Sequence, residues 1–164
     1  THATAMVCVD PKPNTQIKKV CKPGIVTMSG GQGAPVSITK IEQQASSKKT
    51  VFTIHVKHTK KSNMEDVFDY FSLYKCDPNA GQIVKATDKN AVYVGKISLS
   101  GVDITPFCMP DGKIRLDPNT GEGQISCVAT FDGLSESAYT APLEIELWYG
   151  YSKTISKTIT LKRI

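Results

Sequence analysis

Leu143, Ile145, Leu147 and Tyr149 alternate with Glu144 and Glu146. A period of two sorts side chains onto opposite faces of an extended chain, and β-branched and aromatic residues favour that pleated surface. After Gly150-Tyr151-Ser152-Lys153 the alternation resumes, with Ile155, Ile159 and Leu161 set against Thr154, Ser156, Thr158 and Thr160, so residues 143–164 read as a long β-hairpin. Lys157 falls in phase with Ile155 and Ile159. Either its stem snorkels from the buried face or the register shifts there.

The same period recurs through most of the chain. Residues 1–9, THATAMVCV, form a first strand with no local partner, so Ala3, Ala5, Met6, Val7 and Val9 must pair with a distant edge of their own sheet or with another molecule's. Pro11, Pro13 and Asn14 make residues 10–22 an irregular loop. The Gly-rich run Ser29-Gly30-Gly31-Gln32-Gly33-Ala34-Pro35 lacks the spacing of a phosphate loop and reads as a flexible link. Strands follow at Val36, Ile38 and Ile41 and at Phe52, Ile54 and Val56, joined by a turn over 43–49, with a basic turn over 58–63. The stretch 67–74 is apolar and aromatic on both faces. Val67, Phe68, Tyr70, Phe71 and Tyr74 are β-formers without a 3.6-residue period, so a central strand is expected rather than a short helix.

Further strands are expected at 92–99, at 113–116 and through Ile125, Cys127, Ala129 and Phe131, separated by turns at 77–81 and 117–121 and a connection over 101–110. About seven or eight short strands, with turn signals every ten or so residues and no convincing helix, indicate an all-β, two-layer antiparallel β-sandwich, immunoglobulin-like or jelly roll. Residues 1–34 then form an N-terminal extension and residues 35–164 the sandwich.

The 164 residues are 40% hydrophobic and 21% charged, enough to build a core and too apolar for disorder. The formal charge of +5 arises from 20 Lys and Arg against 15 Asp and Glu. Lysines spread over strand faces are solubilising cover and edge guards, so nucleic acid is not expected as a partner, and Lys153, Lys157, Lys162 and Arg163 read as a basic fringe protecting the hairpin. No apolar run approaches the roughly 18 to 20 residues that cross a bilayer, so no membrane insertion by this chain is expected. No signal-peptide pattern stands at Thr1; an exported protein would already have lost it.

Five cysteines in a β-rich chain point to an oxidising compartment, five reduced thiols in a cytosolic protein being the other reading. Cys8 and Cys21 bracket a polar segment with little apolar surface of its own, where a bridge contributes roughly 3 kcal/mol by restricting the unfolded chain. Cys108 and Cys127 flank the second loop and form the other expected pair, leaving Cys76 unpaired.

The run Ala138-Tyr139-Thr140-Ala141-Pro142-Leu143-Glu144-Ile145-Glu146-Leu147-Trp148-Tyr149-Gly150-Tyr151, with Ser156-Lys157-Thr158-Ile159 after it and Gly31-Gln32-Gly33-Ala34-Pro35-Val36 ahead of the strand at Phe52, resembles immunoglobulin-like domains of archaeal cell-envelope proteins. The resemblance implies an exported or membrane-tethered, non-enzymatic β-sandwich over roughly the last two thirds of the chain. The Cys-Trp-Cys core of antibody domains is missing, because Trp148 follows the last cysteine.

Candidate chemistry is sparse. His55 and His58 stand three apart on one strand and point to opposite faces, which does not make a metal site with His2. Cys76 lies in a Pro- and Asn-rich turn, without the histidine a nucleophile needs beside it, and no Gly-x-Ser-x-Gly elbow occurs. Asp117, Asn119 and Glu122 of the turn Asp117-Pro118-Asn119-Thr120-Gly121 supply oxygens suited to a calcium loop, to which Asp103 and Asp111 add only if the fold brings them near; a plain turn is the expected reading. No cofactor is implied. No Asn-linked glycosylation sequon occurs.

The expectation is a non-enzymatic extracellular structural protein at the cell surface, a subunit of a filament, pilus or surface layer, its partners being its own copies or other surface proteins. N-terminal strand donation would join the subunits. The alternative is a monomeric carbohydrate- or protein-binding module presenting loops 77–90 and 101–111 and the aromatics Tyr74, Tyr93 and Trp148. An enzyme is a distant third, since no acid, base and nucleophile fall at recognisable spacing.

Overall fold

A computed structural model describes residues 1–15, 19–28, 33–59, 65–131 and 137–160. In chain order the strands are β1 (His2–Val9), β2 (Ile25–Thr27), β3 (Val36–Ser46), β4 (Lys49–His58), β5 (Glu65–Phe68) and β6 (Ala91–Leu99). They continue with β7 (Val102–Asp103), β8 (Cys108–Met109), β9 (Lys113–Arg115), β10 (Glu122–Thr130), β11 (Tyr139–Trp148) and β12 (Gly150–Lys153). The alternation read from the sequence becomes alternating burial: Ala141, Leu143, Ile145 and Leu147 of β11 face inward, while Glu144 and Trp148 face water.

All pairing is antiparallel. One five-stranded sheet runs β1-β11-β6, with β7 and β9 both on the far side of β6, the first against Ser98 and Leu99 and the second against Ala91 to Tyr93. The other runs β2-β3-β4-β10-β8, and β5 pairs with β12 in a small third sheet. Val7, Ile97 and Ile145 from the first sheet and Ile38, Ile54 and Ile125 from the second belong to one apolar core. The protein is thus mostly β, built of open antiparallel sheets, with two disulfides, Cys8–Cys21 and Cys108–Cys127. Such bridges suit an oxidising, extracellular environment. No helix among the described residues is long and apolar enough to cross a membrane.

Four expectations are corrected. The hairpin over 143–164 does not form. Both edges of β11 are occupied, by β1 and β6, so the chain after Trp148 has no slot beside it, and β12 crosses to β5 instead. Residues 154–160 follow without strand structure, Lys157 included among their exposed side chains; Leu161, Lys162 and Arg163 lie outside the described residues. The stretch 67–74 is a strand only to Phe68. Asp69 then accepts a hydrogen bond from the Phe71 N–H at 3.0 Å and starts a 3-10 helix over Tyr70–Cys76, as capping aspartates do. The expected turn over 43–49 shrinks to Ser47 and Lys48, because β3 runs on to Ser46 and β4 begins at Lys49. The connection over 101–110 carries β7, β8 and a 3-10 turn at Thr105–Phe107. Of the Gly-rich link, 29–32 lie outside the described residues, as do 60–63 of the basic turn.

Of the two pairings open to the N-terminal strand, the one within its own chain forms. β1 pairs with β11 of its own chain from His2↔Glu146 to Val9↔Tyr139. Ala3, Ala5, Val7 and Val9 sit in the core and Met6 points to water. The Cys8 N–H, on the outer edge of β1, donates to the Gln43 Oε1 of β3 at 2.7 Å and ties the two large sheets together at one side. Residues 1–34 therefore supply β1 and β2 to the main sheets.

Two substitutions test this account. Gly150 has no space for a side chain, since a Cβ there would lie 2.2 Å from the ring of buried Phe68. Gly150→Ala is expected to cost about 1–3 kcal/mol through overpacking, read as a lower urea midpoint. Replacing Cys108 and Cys127 by Ala is expected to cost about 3 kcal/mol, measured by the same unfolding curves.

Candidate functional site

Two surface features stand out, one aromatic and one apolar and cleft-like. The first begins at an irregularity in the β6–β11 ladder, where Glu146 faces Lys96 but Leu147 faces Val94, leaving Gly95 as an extra residue. A bulge of this kind re-aims neighbouring side chains. Here it gives room to Trp148: a Cβ on Gly95 would lie 2.7 Å from the indole. The indole N–H donates to the Glu146 Oε1 at 2.8 Å. The ring stacks on Tyr93 of β6 at 6.0 Å between centroids and meets Tyr70 at 5.4 Å. Phe71 closes the group edge-on against Tyr93 at 4.9 Å. Trp148 keeps 38% of its surface in water, Tyr70 39% and Phe71 58%.

The helix carrying Tyr70 and Phe71 is held by charge. Asp69 pairs with Lys113 of β9, and Lys75 pairs with Asp88 at 2.8 Å. The Lys75 hydrogen bond, and then the Lys85 N–H, hold the Asp88 carboxyl down from 3.8 to about 2, and Asp88 in turn raises Lys75. Beside the aromatic group, on the same sheet face, the Ser98 Oγ donates to Glu144 Oε2 at 2.9 Å, and His2, Lys96 and Glu146 line the same shallow recess. An exposed aromatic cluster rimmed by carboxylates, an amine and a hydroxyl suits ligands with one apolar and one polar face.

The second feature is a cleft of about 500 Å³ at the opposite end of β11. Leu99, Val102, Ile104 and Phe107 form one wall, Val128 to Phe131 the other, and Tyr139 the floor. Among the described residues its one charged lining residue is Asp103. The Thr105 hydroxyl and backbone N–H beside it hold that carboxyl below its ordinary value. The β6–β11 ladder stops at Leu99 because Ser100 and Gly101, both at positive φ, turn the chain into β7, the Ser100 N–H donating to the Pro142 carbonyl at 2.9 Å.

The residues singled out from sequence are distributed as follows. Tyr93 and Trp148 come together, while Tyr74 is exposed on the neighbouring helix, its hydroxyl 3.3 Å from Gln82. Tyr70 and Phe71 stand outside that candidate set; the helix puts them at the site. Cys76 is free and exposed at the end of the same helix. Asp117 accepts from the N–H groups of Asn119 and Thr120, both at 2.8 Å, and Glu122 pairs with Lys57 at 2.8 Å, so the candidate calcium loop is a hydrogen-bonded turn leading into β10. No group of three His, Cys, Asp or Glu able to hold a metal ion occurs among the described residues. His55 Nε2 lies 3.2 Å from Glu42, and His58 is buried at the end of β4. The lysines are scattered: Lys19, Lys40, Lys57, Lys75, Lys89, Lys113 and Lys153 each meet a carboxylate. Lys153, expected as edge cover, pairs with buried Glu65 across β12 and β5.

Because the Asp88 carboxyl is depressed on folding, its stabilising contribution is present above about pH 4 and is lost as pH falls towards 2. Asp88→Asn is expected to flatten that part of the stability curve and to loosen the aromatic helix, seen as a weakened near-ultraviolet circular dichroism signal at neutral pH. Gly95→Ala should displace the indole and red-shift tryptophan emission while leaving the far-ultraviolet spectrum intact. No protein-family model, no curated protein and no solved structure matches the chain.

Proposed function

We propose that the protein is a non-enzymatic structural subunit of an extracellular, cell-surface assembly. Its architecture in this reading is the immunoglobulin-like β-sandwich of the archaeal cell-envelope domains that its closing strands resemble. Two five-stranded antiparallel sheets around one core and two disulfides support that reading.

The observation that carries it is the segment after β12. Residues 154–160 keep a strand's alternation, yet they pair with no strand among the described residues, and Ile155 and Ile159 stand 83% and 76% exposed. Apolar side chains on a β-competent segment gain by burial, at about 25 cal/mol per Å². An assembly with other copies supplies that burial. Light scattering and negative-stain microscopy are expected to show the native protein as polymers and Ile155→Asp/Ile159→Asp as a folded monomer. A parent protein that stays monomeric at every concentration, or a variant that polymerises like the parent, refutes the reading.

The aromatic group favours a second role, glycan binding at the surface of such an assembly. Trp148 and Tyr93 offer a stacked face with Glu146 and Lys96 at its rim. Trp148→Ala is expected to abolish binding on a glycan array without altering polymer size.

A further inference from the structure

We propose that residues 154–160 of one copy dock as an added strand in the cleft between β7 and β10 of a second copy, joining subunits head to tail. The proposal rests on the structural-subunit reading and names the surface that completes it.

Both partners are incomplete in matching ways. The cleft is apolar, and Val102 and Phe107 on its wall are 66% and 62% exposed. Its backbone edges are open: β7 pairs only with β6, and β8 covers β10 only at Ser126 and Cys127, leaving residues 128–130 with β4 on one side and no strand on the other among the described residues. An extended segment adds to such edges through its main chain and gains specificity from alternate side chains. In residues 154–160 the alternate positions are Ile155, Lys157 and Ile159, apolar, basic, apolar. Among the described residues the cleft is an apolar surface with one carboxylate, Asp103, so the lysine that breaks the segment's pattern meets the opposite charge there. Thr154, Ser156, Thr158 and Thr160 then face water.

The geometry makes the contact intermolecular. Tyr139, the first residue of β11, is at the cleft, and Trp148, its last, lies just before β12. The ten residues of β11 span ~33 Å. Lys153 and Tyr151 line a recess with Pro35, Ser37 and Thr59, where β3 begins and β4 ends, whereas the cleft borders the end of β10 that pairs with the start of β4. Residues 154–160 reach ~23 Å when extended, too little to travel back and also dock. Donor and acceptor at opposite ends of one molecule make a heterologous, non-closing contact, which propagates as a filament.

The test is a charge-reversal cycle read as the critical concentration for polymerisation, with circular dichroism confirming the fold of each variant. Asp103→Lys and Lys157→Asp are each expected to raise it about tenfold or more, and the double variant to restore it to within about threefold. Phe107→Asp should abolish polymers, and a synthetic peptide of residues 153–160 should shift amide resonances of residues 99–107 and 128–131 in that chain's monomeric Ile155→Asp/Ile159→Asp form. If the parent polymerises but the cycle shows no rescue and the peptide shifts other residues, the docking site is overturned while the subunit reading stands. If the parent never polymerises and the peptide does not bind, both are overturned. Peptide shifts that appear without concentration-dependent growth of the parent mean the segment closes on its own chain, and overturn the head-to-tail contact.

Discussion

The double occupancy of β11 governs the molecule. An antiparallel strand has two edges of backbone donors and acceptors, and those of β11 are taken by β1 and β6. Its inward side chains, Leu143, Ile145 and Leu147, are almost wholly buried. With both edges filled, a following strand cannot fold back onto it. The chain therefore turns at Gly150, packs that glycine against Phe68 and makes its next ladder with β5. Residues 154–160 have a strand's sequence and no strand to join among the described residues.

The same constraint distributes the two surface features. At the end of β11 where the chain leaves, the Gly95 bulge seats Trp148 on Tyr93, and the Asp69-capped helix brings Tyr70 and Phe71 over them. At the end where the chain enters, the turn at Ser100 and Gly101 ends the ladder and the short β7 leaves an apolar cleft beside β10. One end thus carries an exposed segment and an aromatic surface, and the other an unfilled groove. Ion pairs such as Lys75–Asp88 and Lys113–Asp69 hold the loops of the first end, while the Cys108–Cys127 bridge fixes β8 to β10 near the second.

Much of this was legible from side-chain period alone. Val36, Ile38, Phe52, Ile54, Val56, Ile125 and Cys127 were read as inward-facing and are buried. Alternation reports which face of a strand is wet, and that is a local property. The errors have different causes. Residues 155–161 alternate as well as any strand, but pairing depends on whether an edge is free, which no local pattern records. The run 67–74 is rich in β-formers, yet one capping aspartate, Asp69, was enough to divert it into a 3-10 helix. Asp117, Asn119 and Glu122 have the oxygens of a cation loop; Asp117 accepts locally from the Asn119 and Thr120 N–H groups, while the Glu122–Lys57 pair follows from the placement of β4 beside β10.

The sequence by itself determined the all-β character and the inward residues of the principal strands, because each follows from residue type and spacing within a few positions. Only the tertiary structure decided that β1 completes its own sheet, that Tyr70 and Phe71 join Trp148, and that residues 154–160 are left over. Those outcomes turn on which strand edges are already filled, and edge occupancy is settled by contacts between residues far apart in the chain.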